Sequence, residues 1–143
     1  MNIIEAVKNI VADYDHISDF SGDIDIDFTK ETSGNIGLFP TGDSLVKRDI
    51  LGNEIRRHNF QLMATANSFT DFDRLNNSSW LLEFSYYLDG IKNLLIDETD
   101  DKKVSITKMT PANAMLYGYL NRDAQDGVVY QLQISAEYKT ERK

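Results

Sequence analysis

Val128-Val129-Tyr130-Gln131-Leu132-Gln133-Ile134-Ser135-Ala136-Glu137-Tyr138-Lys139 is the stretch that decides how this chain folds. Val128, Tyr130, Leu132, Ile134, Ala136 and Tyr138 alternate with Gln131, Gln133, Ser135, Glu137 and Lys139. Successive side chains of a strand point to opposite faces, so this pattern predicts a long strand with one apolar and one polar face. Such a strand needs neighbours for its backbone and a cover for its apolar face. The rest of the chain is read for both.

Residues 44–50 and 54–66 read as two strands joined at Leu51-Gly52-Asn53, a hairpin. In the second of them Phe60, Leu62 and Ala64 share a face, with Arg57, Asn59 and Gln61 opposite. Earlier, Ile24, Ile26 and Phe28 alternate with Asp23, Asp25 and Asp27, which predicts a half-buried strand carrying an outer row of carboxylates. Ser33-Gly34-Asn35 and Phe39-Pro40-Thr41-Gly42-Asp43 read as turns around the short apolar piece 36–39. Residues 104–109, stopped at Thr110-Pro111, and residues 114–120, apolar on both faces, add two strands. Residues 121–127 form the loop before the last strand, with Asp126-Gly127 as its turn.

Two helices supply the cover. Ile3, Ile4, Val7, Ile10, Val11 and Tyr14 recur at helical spacing over about residues 2–14, and Asn2 with Glu5 resembles a capping box. After a polar stretch at 68–79, Ser78 or Ser79 caps a second helix over about residues 79–96. Its buried stripe is Leu81, Phe84, Leu88, Ile91 and Leu95. Gly90 inside it costs about 1 kcal/mol against Ala and implies tight packing or a bend. Asp97-Glu98-Thr99-Asp100-Asp101-Lys102-Lys103 reads as a charged loop. The expected fold is therefore α+β: one domain over residues 1–143, a mostly antiparallel sheet with both helices on one face.

A length of 143 residues with 41% hydrophobic content suits one core. The chain has no cysteine, which excludes disulfides and thiolate chemistry. The opening Met1-Asn2-Ile3-Ile4-Glu5-Ala6-Val7-Lys8 is amphipathic and broken by charge, unlike a signal core, and no apolar run is long enough to cross a bilayer. A soluble protein, neither exported by the usual signal nor embedded in membrane, is expected. The net charge of -8 argues against a general phosphate-neutralising surface. Its basic spots, Lys47-Arg48, Arg56-Arg57-His58 and Lys139-Thr140-Glu141-Arg142-Lys143, read as solvated strand and tail charges.

No catalytic, cofactor-binding or metal-ligating residue is nominated. His16 and His58 stand without a paired ligand spacing. The row Asp23, Asp25, Asp27 lacks the glycine turn and distal glutamate of a calcium loop, and residues 97–101 read first as solvated charge. No phosphate-cradling glycine loop and no nucleophile elbow occurs. Trp80, Phe84, Tyr86 and Tyr87 give the second helix more apolar surface than one stripe can hide, and Tyr117, Tyr119, Tyr130 and Tyr138 add to the later sheet. Most of it suits a large core and the remainder a subunit interface.

Three stretches carry a family resemblance: Arg57-His58-Asn59-Phe60-Gln61-Leu62; Phe72-Asp73-Arg74-Leu75-Asn76-Asn77-Ser78 leading into Trp80-Leu81-Leu82-Glu83-Phe84; and Gly118-Tyr119-Leu120-Asn121-Arg122-Asp123 followed by Tyr130-Gln131-Leu132-Gln133-Ile134. In this order, over about residues 54–138, the chain resembles the minor capsid, tail-terminator or neck proteins of tailed phages and prophages. Many relatives carry a basic, proline-containing loop after the second helix; acidic residues 97–101 stand here instead. The resemblance implies a non-enzymatic virion protein of the head–tail junction, made in the bacterial host cytoplasm. It would cap the tail tube as a ring, usually a hexamer, and dock it to the head–tail connector proteins. DNA would at most pass through it non-specifically, and the Asp23, Asp25, Asp27 face is then the candidate lumen. The alternatives are a small ligand-binding or hydrolytic α+β domain with a pocket between sheet and helices, which requires a deep cavity with convergent polar groups, or a monomeric host-interaction protein.

Overall fold

The computed structural model describes residues 1–14, 24–26, 35–66, 71–119 and 127–143, with the backbone alone at 71–75 and 119. It is a single α+β domain: two helices and a curled, mostly antiparallel six-stranded sheet. The elements in chain order are α1 (Ile3–Ala12), β1 (Ile24–Ile26), β2 (Asn35–Arg48), β3 (Glu54–Ala66), α2 (Asp71–Asp89), β4 (Lys92–Glu98), β5 (Lys102–Tyr119) and β6 (Val128–Arg142). The sheet order is β1-β2-β3-β6-β5-β4. Every pairing is antiparallel except β1 on β2.

The decisive strand behaves as its alternation requires. Val128, Tyr130, Leu132, Ile134 and Ala136 are buried, and β6 sits at the centre between β3 and β5. Its pairing sets Leu132 opposite Leu62 and Ile134 opposite Phe60, so the two apolar rows share one face. Helix α1 lays Ile3, Ala6, Val7, Ile10 and Val11 on that core, and α2 adds Leu81, Phe84 and Leu88. Asn2 caps α1, its Oδ1 accepting the Glu5 N–H at 2.9 Å. The helices lock together through the Tyr87 hydroxyl, which donates to the Ile10 carbonyl at 2.7 Å. The Tyr14 ring lies 5.1 Å from Phe84 and 4.9 Å from Tyr87, in the edge and tilted arrangements that ring quadrupoles favour.

Four expectations need correction. The second helix runs from Asp71 to Asp89, not over 79–96, and Gly90 lies beyond it. The Gly90 N–H binds the carbonyls of Tyr86 at 3.1 Å and Tyr87 at 3.2 Å, and Ile91 N–H takes that of Leu88 at 3.0 Å. That closes the last turn. Leu94 and Leu95 then belong to β4, a strand the spacing concealed, because Ile91, Leu94 and Leu95 also fit a helical period. The pieces 36–39 and 44–48 are one strand, β2, with 49–50 in the turn that follows, and its register shifts at Pro40/Gly42 and Leu45/Lys47 absorb the turn-forming residues as bulges. Likewise 104–109 and 114–119 merge into β5, with Asn113 at φ 55 inside a register shift; residue 120 lies outside the described residues. The charged segment 97–103 is mostly strand, turning only around 99–101.

The β2–β3 and β4–β5 hairpins turn at the same end of the sheet. The β2–β3 turn is organised by Asp49, whose carboxylate accepts the N–H groups of Leu51 and Asn53, each at 2.9 Å. Arg142 N–H reaches Asn53 Oδ1 at 2.8 Å, and Lys143 N–H reaches the Asp101 carbonyl at 3.0 Å, so the β4–β5 turn and the end of β6 lie beside it.

Candidate assembly surface

The two borders of the sheet are built differently from its centre. Strand β4 is its outermost strand on one side, pairing only with β5 among the described residues. Leu94 is 39% and Leu95 48% exposed there. On the other side β1 covers only Ile36, Gly37 and Leu38 of β2. Beyond Leu38 comes Pro40, which has no N–H to donate to a ladder. From residue 41 to residue 48, β2 is exposed throughout and its outer edge is open among the described residues, with Leu45 and Val46 outside the core. Residues 112–117 of β5 are also exposed, Met115, Leu116 and Tyr117 included, because the outer pairing of β5 stops at Lys108. Apolar, unpaired strand edges are what a soluble protein has to cover or blunt.

The hairpin end is neutralised pair by pair. Arg56 binds Glu54 at 2.9 Å and Asp43 at 3.3 Å, and Arg48 also binds Glu54. These hydrogen bonds, Arg56 first, hold the Glu54 carboxyl below its usual range and keep the Arg56 guanidinium protonated. The backbone N–H of Asn53 leads the groups that lower Asp49. Burial, then a hydrogen bond to Asp43, raises the Tyr138 phenol well above its ordinary value. Further along, Arg57 meets Glu137 at 3.5 Å, Lys139 meets Glu141 at 2.6 Å and Lys143 meets Glu98 at 3.1 Å. Each basic spot of the sequence therefore has carboxylate neighbours rather than forming a field of one sign.

The polar face of the sheet holds an open groove of about 500 Å³ between Thr41, Asn59, Gln61, Thr110, Gln133 and Ser135. Two of its amides pair with amides beside it: Gln61 donates to Gln131 at 3.1 Å, and Gln133 accepts from Asn113 at 2.7 Å. They do not converge on a guest.

The remaining candidates fall as follows. His16, Asp23 and Asp27 lie outside the described residues. Asp25 is half-buried in β1, and its Oδ2 is buried without a hydrogen-bond partner among the described residues, so it does not sit on an open carboxylate face. His58 is buried, stacked on Phe60 with 4.5 Å between ring centroids, its Nδ1 3.0 Å from the Asn59 carbonyl. Alternation with Phe60 was the available signal for that burial. Trp80, Phe84 and Tyr87 pack around the core, whereas Tyr86 and Tyr117 stay exposed at 60% and 63%. Among the described residues no three His, Cys, Asp or Glu side chains gather closely enough to hold a metal ion, and no helix is long and apolar enough to cross a membrane. No family model and no curated protein matches this chain.

Proposed function

We propose that the chain is a structural protein of a tailed-phage or prophage virion, of the tail-terminator or minor capsid type. In this reading it caps the tail tube as a ring and presents a docking face to the head–tail connector. The observation that carries the reading is the pair of unfinished sheet borders, with exposed Leu94 and Leu95 on one and exposed Leu45 and Val46 on the other. Two different sticky borders on opposite sides of one subunit make a head-to-tail contact, and head-to-tail contacts close into rings when the rotation between neighbours divides a full turn. The resemblance of residues 54–138 to head–tail junction proteins supports the same assignment.

The groove on the polar face is open, and two of its lining amides, Gln61 and Gln133, are already paired with neighbouring amides, which favours assembly over small-ligand binding. The work assigned to the chain is blocking and docking, without bond-making. Native mass spectrometry of the full chain, with and without isolated tail tubes, tests the assignment. Weak self-association alone and a closed ring on tube ends is the expected result. A chain that stays monomeric in the presence of tubes would refute it.

A further inference from the structure

Resting on the ring reading above, we infer that the interface between neighbouring copies is strand β4 of one chain laid in parallel along the open outer edge of β2 in the next. The sheet registers carry this. Reading straight across the sheet from border to border, Leu94 pairs with Ile106, Ile106 with Tyr138, Tyr138 with Arg56 and Arg56 with Leu45. Leu94 and Leu45 thus stand at the same height along the strands and, as members of one ladder row, on the same face. A second row runs from Asp97 through Val104, Thr140 and Glu54 to Arg48. A third runs from Lys92 through Lys108, Glu137 and Arg57 to Ser44, next to Asp43.

A copy rotated about an axis near the strand direction, without sliding along it, therefore brings leucine to leucine, Asp97 to Arg48 and Lys92 to the Asp43 neighbourhood, adding to the in-chain pairs Asp97–Met1 amino group, Arg48–Glu54 and Asp43–Arg56. Apolar and charged groups match at once, and zero axial slide is the condition for a ring in place of a helical filament. Strand direction agrees as well. Chain reversal at each antiparallel pairing leaves β4 and β2 running the same way, and a parallel ladder is an ordinary pairing.

The outlines also interlock. Strand β4 projects at the hairpin end of one border, where the opposite border is recessed by the shortness of β1. At the far end β1 projects and β5 is recessed, since β4 pairs no further than Lys108. Among the described residues nothing else occupies either recess. A second copy of the same chain carries a projection that fits each one.

The absence of native cysteine makes the test clean. Leu94→Cys and Leu45→Cys are prepared singly and together in the full chain, both at positions more than a third exposed and outside the core. Oxidation of the two single variants mixed is expected to give a 94–45 disulfide dimer, identified by peptide mapping. The double variant is expected to give a ladder of oligomers ending in one closed species. Self-dimerisation of Leu94→Cys alone, at the same yield as the mixture, overturns the proposal in favour of a two-fold contact. Rings on tube ends with no 94–45 cross-link overturn the edge pairing and leave the ring reading standing. If neither rings nor cross-links form, both fail.

Discussion

Leu132 and Leu95 are the same side chain in strands of one sheet, yet the first is fully buried and the second 48% exposed. At the centre, β3 and β6 carry strict alternation, and two helices cover their apolar row with Phe84, Leu88 and Val7. At the borders, β4 and the outer half of β2 carry apolar residues that no described element covers. On the proposed reading, the contrast separates two uses of hydrophobic surface: folding the subunit and joining subunits. A protein that spent all its apolar residues on its own core would present no border for a neighbour to finish.

That contrast can be broken at its strongest point first. Leu132→Ala removes a side chain packed from both neighbouring strands and from the helices, and is expected to destabilise the fold by about 3 kcal/mol, read from the urea midpoint. A loss of well under about 1 kcal/mol would mean the centre is not the core that holds the fold. Tyr87→Phe deletes the one hydroxyl joining α2 to the Ile10 carbonyl and is expected to lower stability by about 1 kcal/mol without altering assembly.

Acid should act on the hairpin end more gently. Asp49, Glu54 and Glu141 have lowered pKa values, from the Asn53 backbone, Arg56 and Lys139 respectively. A depressed folded-state pKa contributes stability that is complete above the unfolded carboxylate values, about 4, and is lost as pH falls through the lower folded values. Thermal unfolding should therefore show a small decline only below about pH 4, flattened by salt because these groups are at the surface. The smallest effect on stability is expected from Leu95→Lys, within about 0.5 kcal/mol of the parent. The same variant is expected to lose ring formation on tail tubes, a split between folding and assembly that native mass spectrometry reads directly.

The centre of this fold was legible because its signal is local. Period two in residues 128–139 and period 3.6 in residues 3–14 each declare one covered face, and both elements stand where those periods place them. The borders were less legible because their identity depends on what pairs with them. Ile91, Leu94 and Leu95 satisfy a helical spacing as well as a strand, and only the closing of α2 before Gly90 with the pairing to β5 decides between them. Pro40, Gly42 and Asn113 carry turn chemistry, yet long ladders on β3 and β6 hold them as bulges within continuous strands. The alternation of His58 with Phe60 was readable, but the adjacent arginines drew the residue into a basic spot instead of the core. The matching of the two borders needed the ladder registers, which no local pattern encodes.

Hydrogen exchange of backbone amides, compared between dilute chain and assembled rings, tests most directly whether the borders exist to be finished by copies of the same chain. The account predicts that protection rises on assembly in residues 92–98 and 41–48 together, while the already protected amides of β3 and β6 change little. Assembled rings in which both borders exchange as fast as in the free chain would contradict it.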